Sequence, residues 1–183
     1  SRMAIDPNSP AFPAEAARLL KIADAIDIDT VVKRYAREHN ATLPRALAIA
    51  SEGKRFLVLC SMNAEPYAVG GEVDAFWHTF VLFTARYASF CQQVAGHFIH
   101  HVPGDDLPND ATKSRAQYAA TLRDYKLAFG QAPDPSIWPA AGSSGGDSDA
   151  APCVDRDCLP TVGATAGCIV RDCLPVVGSK TDA

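Results

Sequence analysis

Two stretches of this chain carry side chains able to do chemistry. The first is dense in them: residues 72–103 hold four of the five histidines, one of the two tryptophans and five of the eight phenylalanines. Within it Asp74 and His78 are four residues apart. On a helix turning about 100° per residue they lie about 40° apart and one turn from each other. Asp74 can therefore orient the His78 imidazole or share a metal ion with it. Cys91 follows His78 by thirteen residues, about 20 Å along a regular helix and about 140° around it, which excludes one ion held by both. His97 and His101 are again four apart and align if they make a helical turn; His100 and His101 otherwise fold back towards Cys91. Imidazole and thiolate both suit zinc, copper or iron, zinc being the first expectation. Asp74, His78, Cys91, His97 and His101 are thus the candidate metal ligands of this segment. The plainer alternative makes His78 a satisfied core histidine and Cys91 a small buried hydrophobe. On that view Phe76, Trp77, Phe80, Phe83, Tyr87 and Phe90 bury the helix on most sides. Trp77, Thr84 and Cys91 share a second face, which reads as packing with hydrogen-bonding groups.

The second stretch is a repeat. Cys153-Val-Asp-Arg-Asp-Cys-Leu-Pro-Thr-Val-Gly163 recurs fifteen residues later as Cys168-Ile-Val-Arg-Asp-Cys-Leu-Pro-Val-Val-Gly178, with eight of eleven positions identical, so chance is a poor explanation. Each copy is C-x4-C followed by Leu-Pro. Cys153, Cys158, Cys168 and Cys173 are candidate ligands for one zinc ion, although C-x2-C is the stronger spacing. They are equally candidates for disulfides, with three intrachain connectivities open. The copies also suit substrates for a modifying enzyme, as in modified-peptide precursors, or docking motifs presenting Leu159-Pro160 and Leu174-Pro175 to a partner. Duplication favours bivalent binding, because tethering raises the effective concentration of the second copy.

The elements that must position these groups are helical. Pro13 opens a helix through Ala16, Leu19, Leu20, Ala23 and Ile26. Asp29 or Thr30 caps a second, through Val31, Val32, Tyr35 and Ala36 to near Asn40. Thr42 and Pro44 start a third through Leu47, Phe56, Leu57 and Cys60, with Gly53 marking a place where it bends or splits. Residues 61–71 read as a loop. One long helix is expected over 72–95, stopped by Gly96 as a left-handed cap. Asp110 caps a last helix through Tyr118, Leu122, Tyr125 and Phe129, closed by Gly130. No segment alternates over a useful length. The expected fold is all-α, about five helices in an irregular bundle with a non-helical, cysteine-containing C-terminal tail. The expected divisions are a helical domain over 9–138, a Gly/Ser/Pro linker over 139–152 and the duplicated tail over 153–183.

The segment over 72–103 also carries a resemblance. Val73-Asp74, Trp77-His78, Thr84, Tyr87, Cys91, Gly96, His101 and Pro103, in this spacing, are similar to the signature of the glycine-rich domain-containing protein family. Tyr125, Phe129-Gly130 and Ile137-Trp138-Pro139 look like that family's closing motif, so the resemblance spans roughly residues 15–139. It implies a helical domain and an Asp74/His78 locus, and no reaction. Family members commonly carry Trp-His-x-His; Phe80 stands at the fourth position here, which implies that a site completed by that histidine is altered or absent. Relatives often end in glycine- or cysteine-rich tails, as this chain does in modified form.

Composition bounds the rest. The chain has 183 residues, 48% of them hydrophobic and 21% charged, ordinary globular material. A net charge of −4 argues against binding nucleic acid or an anionic membrane by bulk positive charge. No apolar run approaches the roughly 20 residues of a membrane helix, and the N-terminal residues lack a signal-peptide core, so a cytoplasmic location is the default expectation. There is no G-x-G-x-x-G, Walker loop, G-x-S-x-G or H-E-x-x-H, and no RNA-binding signature. The leading expectation is a non-catalytic interaction protein whose cysteine tail grips a partner, a metal or another copy of itself. The alternatives are a metal-binding protein or metalloenzyme centred on residues 74–101, and a precursor modified on its cysteine repeats.

Overall fold

The structure, a computed structural model, describes residues 4–63, 65–102, 111–140 and 151–154, with residues 111–112 and 151–154 described as backbone only. The element order is α1 (Ala11–Ala25), α2 (Asp29–Glu38), α3 (Leu43–Met62), β1 (Ala68–Val69), α4 (Gly71–Val81), α5 (Thr84–Val94), β2 (His100–His101), α6 (Ala111–Phe129) and β3 (Ala151–Val154). The protein is mostly helical, as its periodicity predicts.

α3 is the centre of the bundle, packed against α1, α2, α4 and α6. Thr42 starts it, its hydroxyl accepting the Arg45 backbone N–H at 3.3 Å, with proline in the first turn. The helix runs unbroken through Gly53, contrary to the expected bend. The glycine answers a packing demand instead. A Cβ built there would lie 2.7 Å from Cδ1 of Phe76, so the missing side chain lets α4 settle onto α3. Phe56, Leu57, Val58 and Leu59 are buried along the same helix; full burial of such side chains contributes about 1.5–3 kcal/mol each.

The expected helix over 72–95 is two. α4 ends before Leu82, and Phe83, at φ −86° and ψ 59°, turns the chain before α5 begins. In one straight helix Trp77 and Tyr87 would be about 15 Å apart along the axis. The turn folds them together, with Trp77 Nε1 donating to Tyr87 Oη at 2.8 Å and Phe80 packing edge-on against Tyr87 and Phe90. This division accounts for six helices where about five were expected. α5 ends as predicted, at Gly96 with φ +77°.

Two polar anchors close the bundle. Glu52 on α3 is buried and accepts Tyr125 Oη and Trp138 Nε1 on one oxygen, both at 2.8 Å, and Arg55 on the other at 2.6 Å. Thr121 of α6 both accepts the Ala68 N–H at 3.2 Å and donates to the Ala68 carbonyl at 2.7 Å, so its hydroxyl serves β1 as a substitute strand.

The three strands form a sheet of order β1-β3-β2, both pairings antiparallel. Ala68 and Val69 face Pro152 and Ala151, whereas His100 and His101 face Val154 and Cys153. Strands of two and four residues are too short to show alternation in a sequence. Residues 155–183, with the rest of the repeat, lie outside the described residues.

Candidate metal centre

α4 begins at Gly71, whose φ of +62° suits glycine, directly after an extended Gly70. Glu72 and Asp74 occupy its first turn, where the helix dipole favours carboxylates. Arg45 of α3 pairs with Glu72 and also bonds the Ser136 carbonyl, fixing this end of α4 against the bundle. Asp74 then projects from the first turn and His78 from the next, as the four-residue spacing predicts.

The third member comes from elsewhere. After α5 the chain turns at Gly96 and extends into β2, so His97 and His101 do not share a helical turn. The Trp77–Tyr87 bond continues, with Tyr87 Oη donating to the Ile99 carbonyl at 2.6 Å. This relay sets the strand two residues before His101. The His101 ring lies between Trp77, centroids 4.2 Å apart, and His78, centroids 4.1 Å apart. Its Nε2 is 3.0 Å from Asp74 Oδ1. On the other side of the carboxylate, His78 Nδ1 lies 3.5 Å from Oδ2 and 2.9 Å from the Asp74 carbonyl oxygen.

Asp74, His78 and His101 thus offer one ligand atom each, all within 4.8 Å of one another. Zinc bonds of 2.0–2.2 Å in a tetrahedron set ligand atoms about 3.4 Å apart. The observed separations bracket that value, and the largest one closes by less than about 1.5 Å. The side chains are 13%, 53% and 5% exposed for Asp74, His78 and His101, so the cluster is seated on its Asp74 and His101 side and open beside His78. A cavity of about 460 Å³ adjoins it, lined by Asp74, His78, Thr79 and Leu82 of this corner and by Glu38 and His39 from the end of α2. His39 is held by stacking on Tyr35 at 4.3 Å.

The other sequence candidates separate from this cluster. Cys91 is fully buried and free; burial pushes its thiol up to about 11, with hydrogen bonds to the Ile99 backbone and Tyr87 pulling the other way. It packs as the small hydrophobe of the plainer reading. His97 is buried and not a member of the cluster. Among the tail candidates, Cys153 is placed by its backbone in β3, opposite His101; Cys158, Cys168 and Cys173, and with them Leu159, Pro160, Leu174 and Pro175, lie outside the described residues. Sequence reasoning kept Asp74 and His78 apart from His101. The signal that joins them, the hydrogen-bonding character of Trp77 and Tyr87, was visible only as a packing face.

The UCP032817-like family model matches residues 25–128. That span exceeds half of the chain and contains all three cluster residues, and the chain belongs to this family. The match replaces the glycine-rich domain-containing family suggested by the motif resemblance, for which the comparison gives no support. No curated protein and no solved structure matches the chain. Among the described residues, no helix is long and apolar enough to cross a membrane.

Proposed function

We propose that this UCP032817-like protein binds a divalent transition metal ion, zinc first among them, through Asp74, His78 and His101. The observation that carries the reading is the convergence of two imidazoles and a carboxylate, from elements 27 residues apart in the chain, within 4.8 Å. Three protein ligands with an open side are the pattern of reactive rather than structural zinc sites. When bound, such an ion supplies Lewis-acid chemistry or an activated water. The chain's own residues do the rest. Trp77 and Tyr87 hold the His101 strand, and Asp74 stands part-buried at the edge of the cavity. Glu38, ion-paired with Arg34, lines the cavity wall. The cavity's size suits a small molecule.

The test is cobalt substitution followed by absorption. The expected spectrum shows ligand-field bands of a nitrogen- and oxygen-ligated ion, lost in Asp74→Asn and His101→Gln. A dominant thiolate charge-transfer band, persisting in both variants, would overturn this assignment and move the ion to the tail.

The duplicated C-x4-C-L-P unit carries a second reading, in which the tail past β3 docks a partner or a second copy of the chain. Removing residues 155–183 is expected to abolish any such assembly on a sizing column while leaving cobalt binding in place. Unchanged assembly would dispose of it.

A further inference from the structure

The turn between α1 and α2 and the near face of α3 enclose a second cavity, of about 370 Å³, which shares no lining residue with the one beside Asp74. Lys54 of α3 lines it. The Lys54 side chain is 11% exposed, whereas Lys21, Lys33, Lys113 and Lys126, the other lysines among the described residues, are all exposed. Leu47, Ala50 and Lys54 recur at helical spacing and bring one face of α3 to the cavity, with Ile28 and Val32 completing an apolar wall. An amine drawn out of water into such a recess is suited to act as a nucleophile on a carbonyl carbon. We propose that Lys54 captures a small, uncharged aldehyde in this cavity as an imine.

The surroundings hold the amine and select the reaction. Lys54 Nζ donates to the Ile26 carbonyl at 3.4 Å and lies 3.8 Å from Asp24 Oδ1. The turn carrying that carbonyl is itself fixed. The Asp27 carboxylate accepts the Asp29 N–H at 2.9 Å, and Arg86 of α5 donates to the Asp27 carbonyl at 2.7 Å. Burial lowers the Lys54 pKa from its ordinary value, against the opposing pull of Asp24, Asp27 and Asp29. These three carboxylates, all on the cavity lining, bear on what the amine can become. An iminium keeps the positive charge that they stabilise, whereas acylation abolishes it and a carbamate reverses it. They also repel an anionic carbonyl compound such as a 2-oxo acid. The apolar wall favours an alkyl body.

The step balances without an oxidant or a reductant. The Lys54 ammonium passes one proton to Asp24, and the freed lone pair attacks the carbonyl carbon. The carbonyl π pair moves to oxygen, which takes a second proton from the attacking nitrogen to give a neutral carbinolamine. Asp24 then returns its proton to that hydroxyl, the nitrogen lone pair forms the C=N bond, and water leaves. One ammonium and one aldehyde thus become one iminium and one water, with Asp24 again a carboxylate. Water reverses the sequence, so the aldehyde is held and released rather than consumed.

The test is reductive trapping on the full chain, with hexanal as the probe and cyanoborohydride supplying hydride to the C=N bond, followed by peptide mapping. Alkylation at Lys54 is expected to run about tenfold faster than at Lys21 or Lys33, as befits a desolvated amine. Labelling of Lys54 no faster than these exposed lysines would overturn capture and leave the amine as a tether between α3 and the turn. From acetaldehyde to hexanal the Lys54 rate is expected to rise about tenfold as methylenes are buried, with no such rise at Lys21 or Lys33. Leu47 is 49% exposed, so Leu47→Ser leaves the fold intact and is expected to flatten that rise. A rate at Lys54 independent of chain length would overturn binding in the cavity. Glyoxylate, an anionic aldehyde, is expected to show no preference for Lys54; a preference equal to that of hexanal would overturn selection by charge.

Discussion

Two carboxylates organise two regions of this protein, and their partners differ in kind. Glu52 gathers Tyr125, Trp138 and Arg55. An indole N–H and a guanidinium only donate, and the tyrosine hydroxyl is committed to donating; burial, then the bond to Glu52, pushes that hydroxyl's pKa well up. The indole and the guanidinium have no lone pair to offer an ion, and the tyrosine oxygen is only a neutral phenol. Asp74 gathers His78 and His101, whose neutral rings each keep one ligating nitrogen. Glu52 is sealed within the bundle, its side chain 8% exposed, while Asp74 borders a cavity. The lesson is that a buried carboxylate surrounded by hydrogen-bond donors is a structural knot. One surrounded by imidazoles, with an open side, is where we propose an ion binds.

Substitutions can break that contrast. Glu52→Ala leaves the Trp138 N–H and Tyr125 hydroxyl buried without an acceptor and strands Arg55. The expected loss is about 3–4 kcal/mol of stability, read by urea denaturation, with zinc stoichiometry of the folded fraction unchanged. Asp74→Asn is expected to show the reverse pattern. Zinc affinity falls on the order of 10²-fold, about 2.7 kcal/mol, while the urea midpoint moves by no more than about 1 kcal/mol. If both substitutions cost stability alone, the two carboxylates are alike and the contrast fails.

A smaller effect tests how α4 is seated. Gly53→Ala gains about 1 kcal/mol of helix propensity but drives a methyl into the buried Phe76 ring, and overpacking costs about 1–3 kcal/mol. The net expectation is a loss of about 1 kcal/mol, with Gly53→Val markedly worse. A more stable alanine variant would show that Phe76 can yield and that the glycine does not set the depth of α4.

The smallest effect is a pH dependence. Burial pushes the Cys91 thiol up to about 11 from its ordinary value of 9.0. Between these values the unfolded chain has released the proton and the folded chain keeps it. The unfolded state then binds fewer protons, so stability falls as pH rises from about 9 to 11. Denaturation midpoints across that range are expected to slope downward in wild type and less steeply in Cys91→Ala. In the same folded protein at pH 8, Cys91 is expected to resist alkylation. Rapid labelling would show a thiol far more accessible than the packing around it allows.

The legible parts of the fold were those governed by neighbours in sequence. Thr42 and Pro44 announced α3, Gly96 and Gly130 marked helix ends, and the apolar spacing of Ala16, Leu19 and Ala23 located the buried face of α1. The break at Phe83 had no such signal, because no glycine, proline or side-chain cap sits there; only the Trp77–Tyr87 bond calls for it. Half of the site was legible for the same reason: Asp74 and His78 are one helical turn apart. His101 was not, since its position depends on that break, on the turn at Gly96 and on the Tyr87–Ile99 bond. Gly53 read as a weakness because propensity is local, whereas its purpose is contact with a residue 23 positions away.

The most direct test of the central claim is the zinc content of the chain carrying Cys153→Ser, Cys158→Ser, Cys168→Ser and Cys173→Ser, measured by elemental analysis after saturation and desalting. The account predicts about one zinc per chain, and none after Asp74→Asn, His78→Gln and His101→Gln are combined. Zinc retained in that combined variant, or absent from the parent, would contradict it.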